Sequence, residues 1–414
     1  MKIAVLGSGI IGTTTAYKLV EAGLEVVLID KTPEPANGCS FANGGQLSFG
    51  YWSPFASWHL FSLLPLALIR KDYPVNLKLF PGKNFFRWGM NYTAACFSGY
   101  RQESQQSMLK LGEYARKCMH EMVESNPFQF NYKCPVDKYY LYGNQFELES
   151  DFSAASNVVP VEKVSVEGVG KAHSFIDLSR LSGGFIRHEE GIGNCHDFTV
   201  GLFEKLKSMK SFSYHSGEKV TGFGVKNNRV NFVKTEAGEI EVDSVVVALG
   251  IDSYELMKAI GIRLPIFPLK GYSVTLDVNP DYPEIPVTDS DHKIVFTRLG
   301  NQLRIAGFLD FDGWDTKIKE ERIKYMIDYA RLLMPEAADY DNIKQKWCGL
   351  RPASADGLPI VSKAKYDNLY VNTGHGMLGW TYSLATAELA RDLVLEKYNP
   401  DFDINTLSLS RFRF

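Results

Sequence analysis

The stretch MKIAVLGSGIIG, residues 1–12, decides the fold of this 414-residue chain. Residues 1–6 are apolar and rich in branched side chains, which predicts a strand buried on both faces, and a turn with three glycines follows. A helix over 13–21 and a second apolar strand over 26–29, ending on Asp30, complete the unit. This order of strand, glycine turn, helix, strand and acid is that of a dinucleotide-binding βαβ unit.

Each glycine of this turn has a physical role. Gly7 permits the tight turn, Gly9 lets the backbone approach a pyrophosphate, and Gly12 lets the helix lie close to the sheet. The N–H groups at the helix start then face the phosphate charge. Asp30 lies 18 residues past Gly12, where it can accept hydrogen bonds from ribose hydroxyls. A surface glycine loop is the alternative, but the flanking strands, helix and acid all favour the dinucleotide.

Composition indicates an ordinary globular protein that is long enough for two domains. The 45 basic and 48 acidic residues give a net charge of −3, so no basic excess points to nucleic acid. None of the six cysteines forms a CxxC pair, so we expect no metal and reduced thiols in a cytoplasmic setting. The first apolar run belongs to the fold, so we expect no signal peptide, and the apolar run 60–69 is too short to span a bilayer of about 30 Å.

Hydrophobic periodicity places further elements along the chain. It predicts helices over 101–124, over 198–207 with Asp197 as cap, and over 316–334. It predicts a turn-rich region over 177–184 and strands over 138–142, 220–225, 230–234, 239–242, 245–250, 267–277, 292–298, 302–309 and 358–361, many of them in a mostly antiparallel sheet.

Three stretches outside the first unit suggest ligand contact. Residues 40–48 offer small side chains, free amides and two carboxamides, which suit wrapping around a flat polar ring, although an ordinary polar loop is an equal interpretation. A strand over 369–372 breaks at glycines and leads into a helix over 378–394, a second helix start able to face an anion. The apolar stretch 50–70 has three interpretations: core helix, active-site lid or membrane-surface patch.

These motifs together resemble the bacterial D-amino-acid dehydrogenase small-subunit family, within the wider glycine oxidase, sarcosine oxidase and D-amino-acid oxidase group. The resemblance runs nearly end to end. It is carried by Gly7-x-Gly9-x-x-Gly12 with Asp30, Ala42-Asn43-Gly44-Gly45-Gln46 leading to Gly50-Tyr51, Pro268-Leu269-Lys270-Gly271-Tyr272-Ser273, Gly349-Leu350-Arg351-Pro352 with Asp356-Gly357, and Asn372-Thr373-Gly374-His375-Gly376-Met377-Leu378-Gly379-Trp380-Thr381.

The resemblance implies an α/β fold with a Rossmann-like FAD-binding domain and a second α+β substrate domain built on a mostly antiparallel sheet. We expect residues 1–50, 171–250 and 351–414 in the first domain, and 51–170 and 251–350 in the second. The implied activity is FAD-dependent oxidation of D-amino acids, D-alanine among them, to 2-oxo acids and ammonia. Electrons would pass to a respiratory acceptor such as a quinone or an electron-transfer partner. The family also implies peripheral attachment to the inner face of the cytoplasmic membrane, for which residues 52–70 are the candidate contact.

The resemblance also assigns site residues. Arg351 is expected to grip the substrate carboxylate with its guanidinium fork, and Tyr51 and Tyr272 are the other catalytic-site candidates, lining the pocket. No general base is required if the amine arrives neutral. The expected cofactor-binding residues are Gly7, Ser8, Gly9, Ile10, Ile11, Gly12, Asp30, Lys31, Ser40, Asn43, Gly44, Gly45, Gln46, Leu47, Val220, Gly250, Gly349, Gly374, His375 (at the flavin edge), Gly376, Met377, Leu378, Gly379, Trp380 and Thr381.

Several alternatives stay open at this point. FAD is expected to be non-covalent, but Cys348 stands near the point where sarcosine oxidases bond a cysteine to the flavin. The substrate is alternatively glycine, sarcosine, proline or an L-amino acid. A nicotinamide-dependent dehydrogenase and a non-catalytic dinucleotide sensor are the remaining rivals.

Overall fold

The structure, a computed structural model, describes residues 1–58, 67, 74–78, 81–82, 84–125 and 127–412. Its strands are β1 Lys2–Leu6, β2 Glu25–Asp30, β3 Gln46–Leu47, β4 Val75–Leu77, β5 Tyr132–Tyr142, β6 Glu162–Val164, β7 Gly183–Gly193, β8 Phe212–Ser216, β9 Val220–Lys226, β10 Arg229–Thr235, β11 Glu239–Glu241, β12 Ser244–Val247, β13 Ile266–Asp277, β14 Val287–Asp289, β15 Ile294–Leu299, β16 Gln302–Phe311, β17 Gln345–Ser354, β18 Ile360–Lys363 and β19 Leu369–Thr373. Its helices are α1 Ile10–Glu21, α2 Asn84–Ala95, α3 Ser98–Ser125, α4 Gln145–Ser156, α5 Val166–Ala172, α6 Cys195–Lys207, α7 Ser253–Ala259, α8 Glu320–Leu333 and α9 Gly379–Val394.

A mostly parallel sheet carries both glycine turns. Its strand order is β18-β19-β12-β1-β2-β8, and all neighbouring pairs are parallel except β18 with β19. The first strand is apolar because it is covered on both faces, with Ile3 through Leu6 fully buried. Strands β1, β12 and β19 are neighbours, so their carboxyl ends open at one edge, where ligands of such sheets bind.

The two helices that follow the glycine turns lie side by side. Thr14 of α1 donates from Oγ1 to the carbonyl of Ser383 in α9 at 3.2 Å. Asn372, at the end of β19, donates from Nδ2 to Oγ1 of Thr15 at 3.1 Å. The N-termini of α1 and α9 therefore emerge together at the carboxyl edge of the parallel sheet.

A second, larger sheet provides the rest of the site. Its order is β17-β13-β16-β15-β14-β5-β7-β3, with β4 added to β16 and β6 to β7, and most neighbouring pairs are antiparallel. Alternate residues of β13 face opposite sides. Tyr272 packs in the apolar cluster of α8, whereas Leu269 packs in the cluster of α2. A small antiparallel sheet, β9-β10-β11, lies apart from these two.

The fold class predicted from the sequence is confirmed, and several element boundaries are corrected. Helix α6 begins at Cys195 because the Asn194 side chain, not that of Asp197, accepts the first free N–H groups. Helix α8 begins at Glu320, because the carbonyls of Thr316 and Lys317 accept hydrogen bonds from Cys348 and Lys270 instead.

Two further predictions differ in extent. The strand expected over 138–142 begins at Tyr132, and the supposedly turn-rich region contains the start of β7, which pairs along β5 in the larger sheet. Of the apolar stretch 50–70, residues 59–66 and 68–70 lie outside the described residues. Across the helices that the structure does describe, none is both long and apolar enough to cross a membrane.

The glycine turn gives a stability prediction. A Cβ on Gly12 would lie 1.7 Å from the carbonyl oxygen of Gly7, so Gly12→Ala should lower the free energy of unfolding by about 2 kcal/mol or more. Gly89→Ala in α2, where nothing lies within 4 Å of the added Cβ, should be neutral or stabilising by up to about 1 kcal/mol. Urea unfolding measures both, and equal stability of the two variants would contradict the assignment.

Candidate active site

The glycines of the first turn have different surroundings: Gly7 is packed tightly against the neighbouring backbone, whereas Gly9 has more space beside it. Gly7 has φ +101°, and a Cβ there would lie 2.6 Å from the carbonyl oxygen of Ala248 on the neighbouring strand. Gly9 instead meets only Ser40 Oγ, at 3.4 Å. No side chain caps the N-terminus of α1 at Gly9, and the Ile10 N–H donates to Ser40 Oγ at 2.9 Å. The helix start therefore combines positive dipole charge with room for an anion.

Asp30 closes the other side of this turn. Its Oδ2 accepts from both the N–H and the hydroxyl of Ser8, at 2.6 and 2.9 Å, and its Oδ1 accepts from the Thr32 N–H at 2.8 Å. Oδ1 also accepts from the Thr32 hydroxyl at 2.8 Å, so four donors of the protein fix the carboxylate. Lys31 points away, paired with Asp252 at 2.5 Å at the surface.

Val220, another predicted cofactor-binding residue, lies near Asp30 at the start of β9. The Glu218 N–H donates to the Asp30 carbonyl at 2.8 Å, and Val220 begins β9 two residues later. Val220 is therefore close in the chain to the acid, although its side chain packs with the apolar cluster of the parallel sheet.

The loop 43–47 is anchored to the larger sheet. Arg304 Nη1 donates to the Asn43 carbonyl at 2.9 Å, and Thr297 Oγ1 donates to the Gly44 carbonyl at 2.7 Å. Asn43 Oδ1 accepts from the Gly45 N–H, and Leu47 is fully buried. Burial lowers the pKa of Arg304 to about 10.

Both carboxamides of this loop have protein partners. Gln46 donates from Nε2 to the Val287 carbonyl at 3.1 Å and accepts at Oε1 from Thr288 at 3.1 Å. These side-chain hydrogen bonds hold the loop in place, and the backbone groups of the loop are what it offers to a ligand.

The second glycine turn lies beside the first. Gly374 and Gly376 have φ of +81° and +54°, and Thr373 Oγ1 donates to the carbonyl of Gly250, itself at φ +58°, at 2.9 Å. This hydrogen bond joins the ends of β19 and β12. The two glycine turns therefore open at the same sheet edge.

The start of α9 also meets the 43–48 loop. Thr381 Oγ1 accepts from the Ser48 N–H at 3.0 Å. Met377 is 39% exposed whereas Leu378 and Trp380 are buried, and Gly379 begins the helix. The turn therefore presents its backbone and one exposed thioether side chain, that of Met377, to the pocket.

The His375 side chain is buried in the protein. Its ring is 3% exposed, and its Nε2 lies 3.0 Å from Thr386 Oγ1. The Thr386 hydroxyl donates to the Tyr382 carbonyl, so His375 Nε2 is the donor to Thr386. Nδ1 is then an acceptor with no protein partner among the described residues. Burial lowers the pKa of His375 to about 3, so the ring is neutral at physiological pH.

A pocket of about 340 Å³, open to solvent, lies between this turn and the larger sheet. Its walls are mainly apolar. They are formed by Tyr51, Phe55, Met108 of α3, Leu269 of β13, Ala353 and Ser354 of β17, Gly357 and the turn 375–378.

Arg351 lies on the same face of β17 as Ala353, next to this pocket, and is paired in register with Leu269. Its guanidinium occupies the space left by Gly271, where an added Cβ would lie 2.2 Å from Nη2. Nη1 donates to the Phe308 carbonyl at 2.8 Å, and no carboxylate of the described residues pairs with it. Desolvation lowers the pKa of Arg351 from its ordinary value, opposed by Cys39 and Asp310.

The other residues predicted around Arg351 divide between the two faces of the sheet. Tyr51 lines the pocket, and burial raises its pKa to about 12. Gly349 lies on the Arg351 face, where a Cβ would approach Cys39 Sγ at 3.3 Å. Tyr272 lies on the opposite face, where its hydroxyl donates to Asp310 Oδ2 at 3.0 Å. The structure does not bring Tyr272 to the pocket.

Cys348 shares the far face with Tyr272, its partner in register. Its Sγ donates to the Thr316 carbonyl at 2.9 Å, and burial raises the pKa of the thiol. Its register therefore turns the sulfur away from the side on which Arg351 and Gly349 lie.

A buried ionic cluster behind the 48–50 backbone was not predicted. Lys138 Nζ donates to Ser48 Oγ at 2.8 Å, and the Gly50 N–H donates to Glu190 Oε1 at 3.0 Å, with Arg187 3.5 Å from the same oxygen. Burial lowers the pKa of Lys138 to about 8 and raises that of Glu190. In the sequence, Lys138, Arg187 and Glu190 resemble the charged residues of a solvated strand face, so no pattern identifies them as a buried cluster. Met108 and Phe55 were missed because apolar residues on helices and loops normally indicate core.

Residues 2–393 match the family described as FAD dependent oxidoreductase (DAO), and the chain belongs to this family. It is 31% identical to "D-amino acid dehydrogenase 2" of Ralstonia nicotianae, over 96% of this chain and 97% of that protein. It is 32% identical to "D-amino acid dehydrogenase" of Bradyrhizobium diazoefficiens, over 100% and 99%. The fold is that of glycine oxidase from Geobacillus kaustophilus, with a TM-score of 0.78 at 18% identity over 99% and 98% of the two chains.

The residues present fit FAD, the cofactor of this family. Gly9 leaves backbone space at the start of α1, as a pyrophosphate requires. His375 Nδ1 offers a buried acceptor, and the buried Ser273 Oγ and Trp347 Nε1 on the Arg351 face also lack protein partners in the part of the chain that is described. Such atoms suit a polar ring that carries both donors and acceptors.

The burial of His375 predicts a pH dependence of stability. Its folded pKa of about 3 lies below the ordinary 6.5, so the unfolded chain binds the extra proton between these values and stability falls as pH decreases through that window. The loss from this residue should approach about 1.4 kcal/mol per pH unit, and His375→Gln, which keeps a donor for Thr386, should remove it. Urea unfolding from pH 7 to 4 with FAD in constant excess measures the slope. The exposed His120→Gln is the control, and equal slopes in the two variants would contradict the burial argument.

Proposed function

We propose that this protein catalyses the oxidative deamination of D-amino acids, D-alanine among them, to 2-oxo acids and ammonia. The observation that supports this most is Arg351, a desolvated guanidinium beside an apolar pocket with no carboxylate partner among the described residues. A partly desolvated cation without a counter-ion is costly unless a ligand supplies the anion. The names of the two dehydrogenase relatives specify a D-amino acid as substrate, and the carboxylate of an amino acid would supply this anion.

Each part of the site has a role in this proposal. When bound, FAD would supply the acceptor for the hydride that leaves the substrate Cα. Arg351 binds the carboxylate with two parallel hydrogen bonds, which orients Cα, and Tyr51 adds a donor and an apolar face. Phe55 and Leu269 exclude water, which strengthens the ionic contact. Water then hydrolyses the released imine without a protein nucleophile.

The cofactor contacts follow from the two helix starts. In this proposal the N-terminus of α1 binds the pyrophosphate, Asp30 binds a ribose, and the start of α9 stabilises negative charge on the reduced ring. FAD is held non-covalently, since Cys348 lies on the face of β17 opposite Arg351. The parallel sheet with its helices forms the FAD domain and the larger sheet the substrate domain.

Anaerobic reduction of the bound flavin tests the proposal. D-Alanine and other D-amino acids should bleach the flavin, whereas L-amino acids, glycine and sarcosine should not. Arg351→Lys should raise the half-saturating D-amino-acid concentration about 100-fold, because an ammonium loses the bidentate contact. Arg331→Lys, which replaces an exposed arginine paired with Asp341, is the matched control. Near-normal half-saturation in flavin-loaded Arg351→Lys would overturn the role of Arg351, and bleaching by L-amino acids alone would overturn the choice of enantiomer.

We also propose that electrons leave to a quinone or an electron-transfer partner at the cytoplasmic face of the membrane. An apolar patch of exposed residues supports this: Trp58, Phe86, Met90 and Phe97 are each more than half exposed. Trp58 and Phe97 pack edge to face, and Phe86 and Met90 lie one turn apart on α2. Exposed aromatic side chains grouped in this way suit the interfacial region of a bilayer.

Vesicle binding tests the apolar patch. The double variant Phe86→Glu and Met90→Glu should lose most of its co-sedimentation with vesicles of phosphatidylethanolamine and phosphatidylglycerol, because two charges would enter the acyl boundary. Tyr398→Glu, at the most exposed large apolar side chain in the described residues, is the control. Unchanged binding of the double variant would exclude this patch as the contact.

A further inference from the structure

A turn over residues 354–357 forms one wall of the pocket. Ser354 and Gly357 both line the cavity, and the Gly357 N–H closes the turn by donating to the Ser354 carbonyl at 3.3 Å. Gly357 has φ +88°, and a Cβ there would lie 3.0 Å from Cβ of Phe55, which also lines the cavity. A small displacement of this turn therefore changes the shape of the cavity.

The turn is held from its buried side by Arg411. Asp356 is 1% exposed, and Arg411 binds it through Nε to Oδ2 at 2.7 Å and Nη2 to Oδ1 at 3.1 Å. Nη2 also donates to the Leu358 carbonyl at 2.8 Å, and Nη1 donates to the carbonyls of Leu407 and Ser408 at 2.8 and 3.2 Å. Every nitrogen of the guanidinium is used, a pattern that an ammonium group cannot reproduce.

The segment that carries Arg411 is itself fixed. Two short helical turns, Ile404–Leu407 and Leu409–Arg411, run along the parallel sheet, and the Ser408 hydroxyl caps the second. The Tyr100 hydroxyl of α3 donates to the Arg411 carbonyl. Phe412 packs against the apolar cluster of the parallel sheet and against the one that contains Phe55. Contacts with α3 and with two apolar clusters thus hold the segment that carries Arg411 in place.

We propose that Arg411 is a positioning residue of the substrate pocket. It does not touch the amino acid; it fixes the 354–357 turn through Asp356, so that substrate affinity depends on a residue 60 positions beyond Arg351 in the chain. This inference rests on the proposed function in one respect, namely that the amino acid binds in this pocket. Without the guanidinium, Asp356 would be a buried carboxylate with no counter-ion, and the turn would move to hydrate it.

Anaerobic flavin-reduction kinetics of the holoenzyme with D-alanine tests the effect on affinity. Arg411→Gln should raise the half-saturating concentration about tenfold or more while the limiting rate stays within about twofold, because Arg351 and the cofactor contacts are intact. Arg411→Lys should lie between the wild type and the Gln variant, and Arg331→Lys should match the wild type. Half-saturation within about twofold of the wild type in the flavin-loaded Lys and Gln variants would overturn the proposal.

Amide hydrogen exchange gives a readout that does not depend on the substrate. In Arg411→Gln, or in Arg411→Lys if the Gln variant does not fold, exchange at Gly357 and Leu358 should accelerate about tenfold, with the turn 374–378 unchanged. Uniform acceleration across both turns, or none, would overturn the positioning role. If no amino acid reduces the wild-type flavin, the proposed function fails, and the exchange pattern still decides whether Arg411 holds the pocket wall.

Discussion

The close approach of three parallel strand ends determines where this protein can bind ligands. Because β12 lies between β1 and β19, the glycine turns after the first and last of these strands must open at the same sheet edge. The hydrogen bond from Thr373 to the Gly250 carbonyl fixes one turn to the middle strand, and the fit of Gly7 against Ala248 fixes the other. Residues more than 360 positions apart thereby form one positively polarised edge.

Because side chains alternate between the two faces of the larger sheet, the residues on the pocket face differ from the ionic groups on the opposite face. On one face of β13 and β17, Gly271 leaves room for Arg351, and the loop 43–47 is fixed nearby by Arg304. On the other face, Tyr272 and Asp310 belong to a buried ionic network that stabilises the packing against α8. One residue of register therefore decides whether a polar side chain meets the pocket or the interior.

The sequence predicts the βαβ unit and the second glycine turn because each depends on local geometry that glycine provides, whereas Arg351 is a candidate only through the family resemblance. It does not predict the side of Tyr272, since a strand buried on both faces has no polar alternation to reveal its orientation. The sequence also does not show the protein partners of Gln46 and Asn43, because a carboxamide in a loop suits a ligand or a neighbouring strand equally well. Lys138 is buried by tertiary contacts that composition does not record.

Four arginines of the described residues show how charge is distributed around the cleft: Arg304 and Arg322 are buried, and Arg351 and Arg411 are partly buried. Arg322 and Arg411 are paired with Asp310 and Asp356, so their charges are neutralised within the fold. Arg304 and Arg351 donate only to neutral oxygens of the protein, and desolvation lowers the pKa of both. Both lie on the cleft side of the larger sheet, opposite two helix N-termini that also carry positive charge. In the proposed function such a cleft would receive anions at two places, the pyrophosphate along the glycine turns and the substrate carboxylate at Arg351.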